Sequence, residues 1–106
     1  MNLKDYTVIS SLGLNLRSIT KTVLVIERKN LDACKTLMNE DIIVLCNEKY
    51  YLIKNASYVE YRVVNNYAYS VVITYTPIQT EPKIRAVKDI TVIVNREKKI
   101  DKLLNR

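Results

Sequence analysis

Between Asp41 and Thr76 the chain repeats one pattern. Runs of Val, Ile, Leu and Tyr are interrupted by the dipeptides Asn47-Glu48, Asn55-Ala56 and Asn65-Asn66, spaced eight and ten residues apart. Asn adopts positive φ readily for a non-glycine residue, and tight hairpins need that conformation. The spacing predicts four antiparallel strands joined as a meander: Asp41–Cys46, Lys49–Lys54, Ser57–Val64 and Tyr67–Thr76. Turns this tight would fix the register. Leu45 then faces Tyr50 and Ile43 faces Leu52 across the first turn. Across the second, Leu52 faces Val59 and Tyr50 faces Tyr61. Across the third, Val59 faces Val72, Tyr61 faces Ser70 and Val63 faces Ala68.

Period-2 alternation sorts these residues onto two faces. One holds Ile43, Leu45, Tyr50, Leu52, Val59, Tyr61, Val63, Ala68 and Val72, is free of charge, and is the expected core, with Val59 at its centre. The other holds Ile42, Val44, Tyr51, Ile53, Tyr58, Val71 and Ile73, interrupted by Glu60, Arg62 and Tyr69. That second face is too apolar for plain solvent exposure, so part of it should be covered by the rest of the chain or by another subunit.

The β signal extends beyond the meander. Val, Ile, Thr and Tyr supply 40 of 106 residues, and such residues favour half-buried pleated strands. Further strands are expected at Asp5–Ser10, at Thr22–Glu27 and, bent or double, across Lys83–Val94, with an exposed connector over Pro77–Pro82. The single glycine, Gly13, reads as a turn or bend residue. Helical spacing appears twice. Asn30 could cap Leu31–Met38, with Leu31, Cys34, Leu37 and Met38 on one side. Asn95 could cap a C-terminal helix in which Ile100, Leu103 and Leu104 form an apolar stripe. The expected fold is mainly β: a small antiparallel β-sandwich or partly open β-barrel with one short internal helix and a C-terminal helix. An α+β sheet with helices on one face is the alternative. Length fits one β-rich domain over residues 1–95, with 96–106 as a basic amphipathic helix, part of that domain or a docking tail.

Composition excludes much chemistry. There is no histidine, which removes the commonest general base and the commonest metal ligand. Cys34 and Cys46 are too few and too far apart for a zinc framework. No run resembles a signal peptide, and no apolar run approaches the roughly 20 residues of a membrane span. The expectation is a cytoplasmic protein, or a virion component, with reduced thiols that behave as small buried hydrophobes. The carboxylates Glu27, Glu40, Asp41 and Asp89 are scattered, and no glycine-rich phosphate loop is present. The reading therefore predicts no enzyme activity, no catalytic residue, no metal and no cofactor.

Two groups of residues remain as candidate binding sites. Tyr51, Tyr58 and Tyr69 share the second face with Lys49 and Arg62, Arg62 lying opposite Tyr69. Aromatic side chains among bases on an open sheet are how small barrels stack single-stranded nucleic acid. Against this stands ordinary cross-strand packing of tyrosines, and Glu60 within the patch. The second group is the tail. Arg96, Lys98, Lys99, Lys102 and Arg106 against Glu97 and Asp101 give +3 of the chain's net +6 in eleven residues. Lys98, Lys99, Ile100, Lys102, Leu103 and Leu104 are the expected partner-docking residues, the apolar stripe carrying the energy and the lysines solvated.

Asn, Lys, Ile and Tyr make up 41 residues, and Phe and Trp are absent. Their A/T-rich codons point to a low-GC genome, bacterial or viral. The function class expected is a non-enzymatic assembly or interaction module, for example a phage or virus structural or accessory protein, with protein subunits as partners, as a homo-oligomer or larger assembly, and no membrane. The competing expectation is a single-stranded nucleic-acid-binding β-barrel.

Overall fold

The computed structural model describes residues 3–104, with side chains over residues 3–99. The fold is mostly strand, a curled sheet with a second small sheet, one short helix and a C-terminal helix, as the strand-rich composition implies. Its elements are β1 (Thr7–Ser11), β2 (Gly13–Leu16), β3 (Lys21–Glu27), α1 (Leu31–Lys35), β4 (Glu40–Cys46), β5 (Lys49–Val63), β6 (Ala68–Thr76), β7 (Ile78–Thr80), β8 (Lys83–Arg85), β9 (Lys88–Asp89) and α2 (Thr91–Leu104). Short 3-10 turns at Leu3–Asp5 and Arg28–Asn30 precede β1 and α1.

The main sheet runs β1-β4-β5-β6-β3-β2, with β9 added to β5, and β1 pairs with β4 in parallel. β1 and β2 stand at opposite ends of this path, yet only Leu12 separates them in sequence. One bent strand therefore joins both ends, and the sheet curls around its inner face. The corner is pinned on the carbonyl of Val25, which accepts the Leu12 N–H at 2.6 Å and the Ser11 hydroxyl at 2.9 Å. Gly13 begins β2 just past this bend with ordinary negative φ.

Strand β5 makes the second corner, and it corrects the expected meander. Asn47-Glu48 is a tight turn with φ of 51° and 64°, and the Leu45–Tyr50 and Ile43–Leu52 pairs form. At Asn55-Ala56 the chain does not turn back. β5 continues to Val63, its first half paired with β4 and its second with β6. Asn55 does take positive φ, 52°, but spends it on an irregularity between Lys54 and Ser57. Its N–H is held by the Asp41 carboxylate at 3.0 Å and its side-chain amide by Thr76. The Leu52–Val59 and Tyr50–Tyr61 pairs therefore do not exist. A further irregularity between Tyr58 and Glu60 shifts the next register by one residue. Glu60 faces Val72, Tyr61 faces Val71, Arg62 faces Ser70 and Val63 faces Tyr69, in place of the Val59–Val72, Tyr61–Ser70 and Val63–Ala68 pairs.

The irregularities change the side of residues 60–63 alone, bringing Tyr61 and Val63 to the side of Val71 and Tyr69; β4, the first half of β5 and β6 keep the two faces that alternation sorts, and the main core is the second of them rather than the first. The main core is the inner face: Ile42, Val44, Ile53, Val71 and Ile73, joined by Ile9, Leu24, Ile26, Cys46, Ala56 and Tyr75. Helix α1 adds Leu31 and Cys34, and Leu37 follows it in. The face expected to be the core divides in two. Ile43, Tyr50 and Leu52 form a smaller cluster on the outside of the sheet, covered by Ile90 and Val94. Val59, Tyr61 and Val63 are exposed.

Both helices differ from expectation at their ends. Helix α1 stops at Lys35 and leaves Met38 exposed. Asn30 makes no side-chain cap; its amide instead donates to the carbonyl of Ser10 at 3.4 Å. The strand expected across Lys83–Val94 is the β7–β8 hairpin partner, then β9, then helix from Thr91. Asn95 lies inside α2. The Asp89 carboxylate caps the first turn instead, accepting the Thr91 N–H at 2.9 Å and its hydroxyl at 2.6 Å. The β-branched run Thr91–Val94 is helical because this cap, and burial of Ile90 and Val94 on one side, outweigh its strand propensity.

Candidate functional site

The curled sheet disperses the residues expected to stack nucleic acid. Tyr51, Tyr58 and Tyr69 are half-buried and packed against the main core. Lys49 is exposed beside the tight turn. Arg62 is exposed and pairs with Ser70 rather than Tyr69. Directly opposed residues share a face and neighbours alternate, so Arg62 and Tyr69 point to opposite sides of the sheet. The three tyrosines share a side; the arginine does not join them.

The exposed aromatic and aliphatic side chains lie elsewhere, in the outer half of the β5–β6 hairpin. Val59 (47%), Tyr61 (39%), Val63 (68%), Val64 (53%) and Tyr67 (80%) are all open to solvent. Tyr61 meets Tyr69 edge-on at 5.3 Å between ring centroids, and the Lys35 ammonium sits 4.8 Å from the Tyr61 centroid. The hairpin loop is set by Asn65, whose side-chain oxygen accepts the N–H groups of Tyr67 and Ala68. One edge of β5 is uncovered here. β4 follows β5 only as far as the Glu40–Ala56 pair. Past it, among the described residues, one backbone bond reaches that edge, from Tyr58 N–H to Leu37 carbonyl at 3.1 Å. From sequence Val59, Tyr61 and Val63 read as core, and no signal along the chain marks where the β4–β5 pairing ends.

Helix α2 is tied to β5 through Tyr50. The Tyr50 carbonyl accepts the Ile90 N–H at 2.8 Å, and its N–H donates to the Thr91 hydroxyl at 2.9 Å. Lys98 donates to the Tyr50 hydroxyl and lies 4.6 Å from its ring centroid. Of the expected docking residues, Lys98 and Lys99 are both exposed, with the Lys98 ammonium laid against Tyr50. The side chains of Ile100, Lys102, Leu103 and Leu104 lie outside the described residues. Asp89 titrates below the usual carboxylate range because the Thr91 hydroxyl and N–H hold its charged form and Lys49 stands near.

Of the carboxylates that the sequence leaves scattered, Glu27 and Asp89 stay apart from the adjacent pair Glu40-Asp41, and the parallel β1–β4 pairing brings to that pair only Asp5, which the sequence reading did not single out. Asp5, Glu40 and Asp41 line an open polar cleft of about 540 Å³ with Tyr6, Thr7, Asn39 and Asn55. Two of them are already engaged: Asp41 with the Asn55 N–H, Glu40 with the Thr7 hydroxyl at 3.3 Å. Among the described residues no group of three His, Cys, Asp or Glu is arranged to hold a metal ion.

Comparison with family models, with curated proteins and with solved structures finds nothing similar to this chain. Cys34 and Cys46 are both buried and free, and burial pushes the Cys34 thiol up to about 11. Such a thiol is protonated at neutral pH and is a poor nucleophile. Among the described residues no helix is long and apolar enough to cross a membrane.

Proposed function

We propose that this chain is a non-enzymatic assembly or interaction module that binds other protein subunits through the outer half of its β5–β6 hairpin. The observation that carries the reading is that five apolar side chains, Val59, Tyr61, Val63, Val64 and Tyr67, are exposed along this one hairpin, beside a strand edge that β4 leaves uncovered past Ala56. Clustered exposed apolar groups on a small domain mark interaction surfaces, and open strand edges are templates for pairing with another chain. The basic helix, with Lys98, Lys99, Ile100, Lys102, Leu103 and Leu104, is the proposed second docking element. A phage or virus structural or accessory protein is one concrete version, supported by composition. Light scattering after size exclusion, with and without nuclease and at two salt concentrations, tests the reading. Species larger than one chain that survive both treatments are expected. A monomer carrying nucleic acid that is lost to nuclease and weakened steeply by salt would replace the reading with single-stranded nucleic-acid binding.

A further inference from the structure

The uncovered edge of β5 carries charges in an order that selects its partner. Glu60, Tyr61 and Arg62 are consecutive, all three exposed, and Glu60 and Arg62 alternate with Tyr61 so that both charges lie on one side of the strand. Neither Glu60 nor Arg62 has an ion pair within the chain among the described residues. From these residues we infer that the free edge of β5 pairs antiparallel with the same edge of a second copy, on a two-fold axis through Tyr61. This rests on the reading of the chain as an interaction module and names its partner.

A two-fold interface must be self-complementary: each contact occurs twice, with the roles exchanged. With Tyr61 opposite Tyr61 of the second copy, Glu60 falls opposite Arg62 of the second copy, and Arg62 opposite its Glu60. Both unpaired charges on each chain are matched. Val59 falls opposite Val63, so the exposed valines meet each other as well. The alternatives are disfavoured by the same residues. A parallel in-register pair would set Glu60 on Glu60 and Arg62 on Arg62, and directly opposed like charges destabilise a sheet. A shift by one residue would bring charges against apolar side chains. The paired segment is short, so the dimer is weak and concentration-dependent, of the transient class.

Charge reversal tests the register. Arg62→Glu and Glu60→Arg each turn two attractive pairs into two repulsive ones, and each should raise the dimer dissociation constant by about tenfold. The double variant, Glu60→Arg with Arg62→Glu, recreates both pairs and should return the constant to near that of the wild type. Both residues are exposed, so far-UV circular dichroism should be unchanged in all three. Cysteine cross-linking gives a separate readout. Residues directly opposed across antiparallel strands have Cα atoms about 4.5–5.5 Å apart, within disulfide reach. Tyr61→Cys should therefore link two copies under mild oxidation. Val63→Cys should not, because its counterpart lies about 14 Å away along the strand pair. Oligomers whose dissociation constant is unmoved by either single reversal overturn this interface while leaving the module reading standing. So does a double variant that fails to recover, or linkage through Val63→Cys in place of Tyr61→Cys. A wild type that stays monomeric at every concentration overturns the interface; binding of a different protein in that case would still support the module reading.

Discussion

Truncating one residue on each face of the sheet separates the observed core from the one that simple alternation suggests. Ile73 is fully buried on the inner face between Thr22 of β3 and Tyr58 of β5. Ile73→Ala removes three carbons, and at about 0.8 kcal/mol each that loss is about 2.4 kcal/mol. Incomplete collapse of the cavity adds to it, which puts the total within about 2–5 kcal/mol. Val59 is 47% exposed at the irregularity of β5. Val59→Ala removes two carbons that have gained about half their transfer free energy, about 0.8 kcal/mol at most. By the same reasoning Val59→Asp, which alternation places at the centre of a core, leaves its charge in water and is tolerated. Urea unfolding at a protein concentration low enough to keep the chain monomeric measures both, read as a midpoint shift at constant m-value. In melting temperature, Ile73→Ala should lose at least about 8 °C and Val59→Ala no more than about 6 °C. Should Ile73→Ala unfold the chain outright, Ile73→Val serves instead, compared per carbon removed: about 0.5–1.5 kcal/mol for its one carbon against at most about 0.4 kcal/mol for each of the two lost in Val59→Ala. A Val59→Ala loss equal to or larger than that of Ile73→Ala would refute the assignment of the faces.

Three further outcomes follow from the geometry. Asp89→Ala should cost about 1 kcal/mol by uncapping α2; since Thr91 lowers the Asp89 pKa, the wild type holds this contribution above the unfolded-state carboxylate pKa and loses it as pH falls, whereas the variant shows less acid dependence in urea titrations at pH 7 and pH 3. With the Cys34 pKa raised to about 11 from 9.0, ionisation of the unfolded chain should erode stability as pH rises from 9 towards 11, an erosion that Cys34→Ala reduces, and a thiol reagent at pH 7 should label neither cysteine until urea unfolds the chain. Lys98→Gln should weaken the hold of α2 on Tyr50 by about 0.5–1 kcal/mol, measured as faster amide exchange across Thr91–Lys98 with little change in β4.

What was legible in the sequence was local. The Asn47-Glu48 turn, the Leu45–Tyr50 pairing, the burial of Cys34 and the mainly β class each follow from a few adjacent residues. Asn55 was legible only in part. Its positive φ serves a hairpin and a bent strand equally well, and Asp41 and Thr76, distant in sequence, decide between them. The core face was ambiguous for a similar reason. In β4 and the first half of β5 both faces are apolar, since α2 covers the outside and the main core lies within the curl of the sheet. With no polar face to break the tie, alternation sorts the residues without choosing the core face, and the irregular residue near Val59 further hides that residues 60–63 change sides. The helical start of α2 was hidden behind the strand propensity of Val92, Ile93 and Val94. The candidate surface was invisible for a topological reason: Glu60, Tyr61 and Arg62 become a free edge only because β4 begins at Glu40 and its pairing with β5 ends at Ala56.

Amide hydrogen exchange at residues 59–63, compared between dilute and concentrated protein, tests the central claim most directly. If the free edge of β5 joins one copy to another, the amides in this stretch that alternation turns away from β6, those of Tyr61 and Val63, gain protection as concentration rises, while those of β3 and the buried half of β6 do not change. Protection at 59–63 that stays the same while larger species form would mean that another surface holds the assembly together, and would contradict the claim.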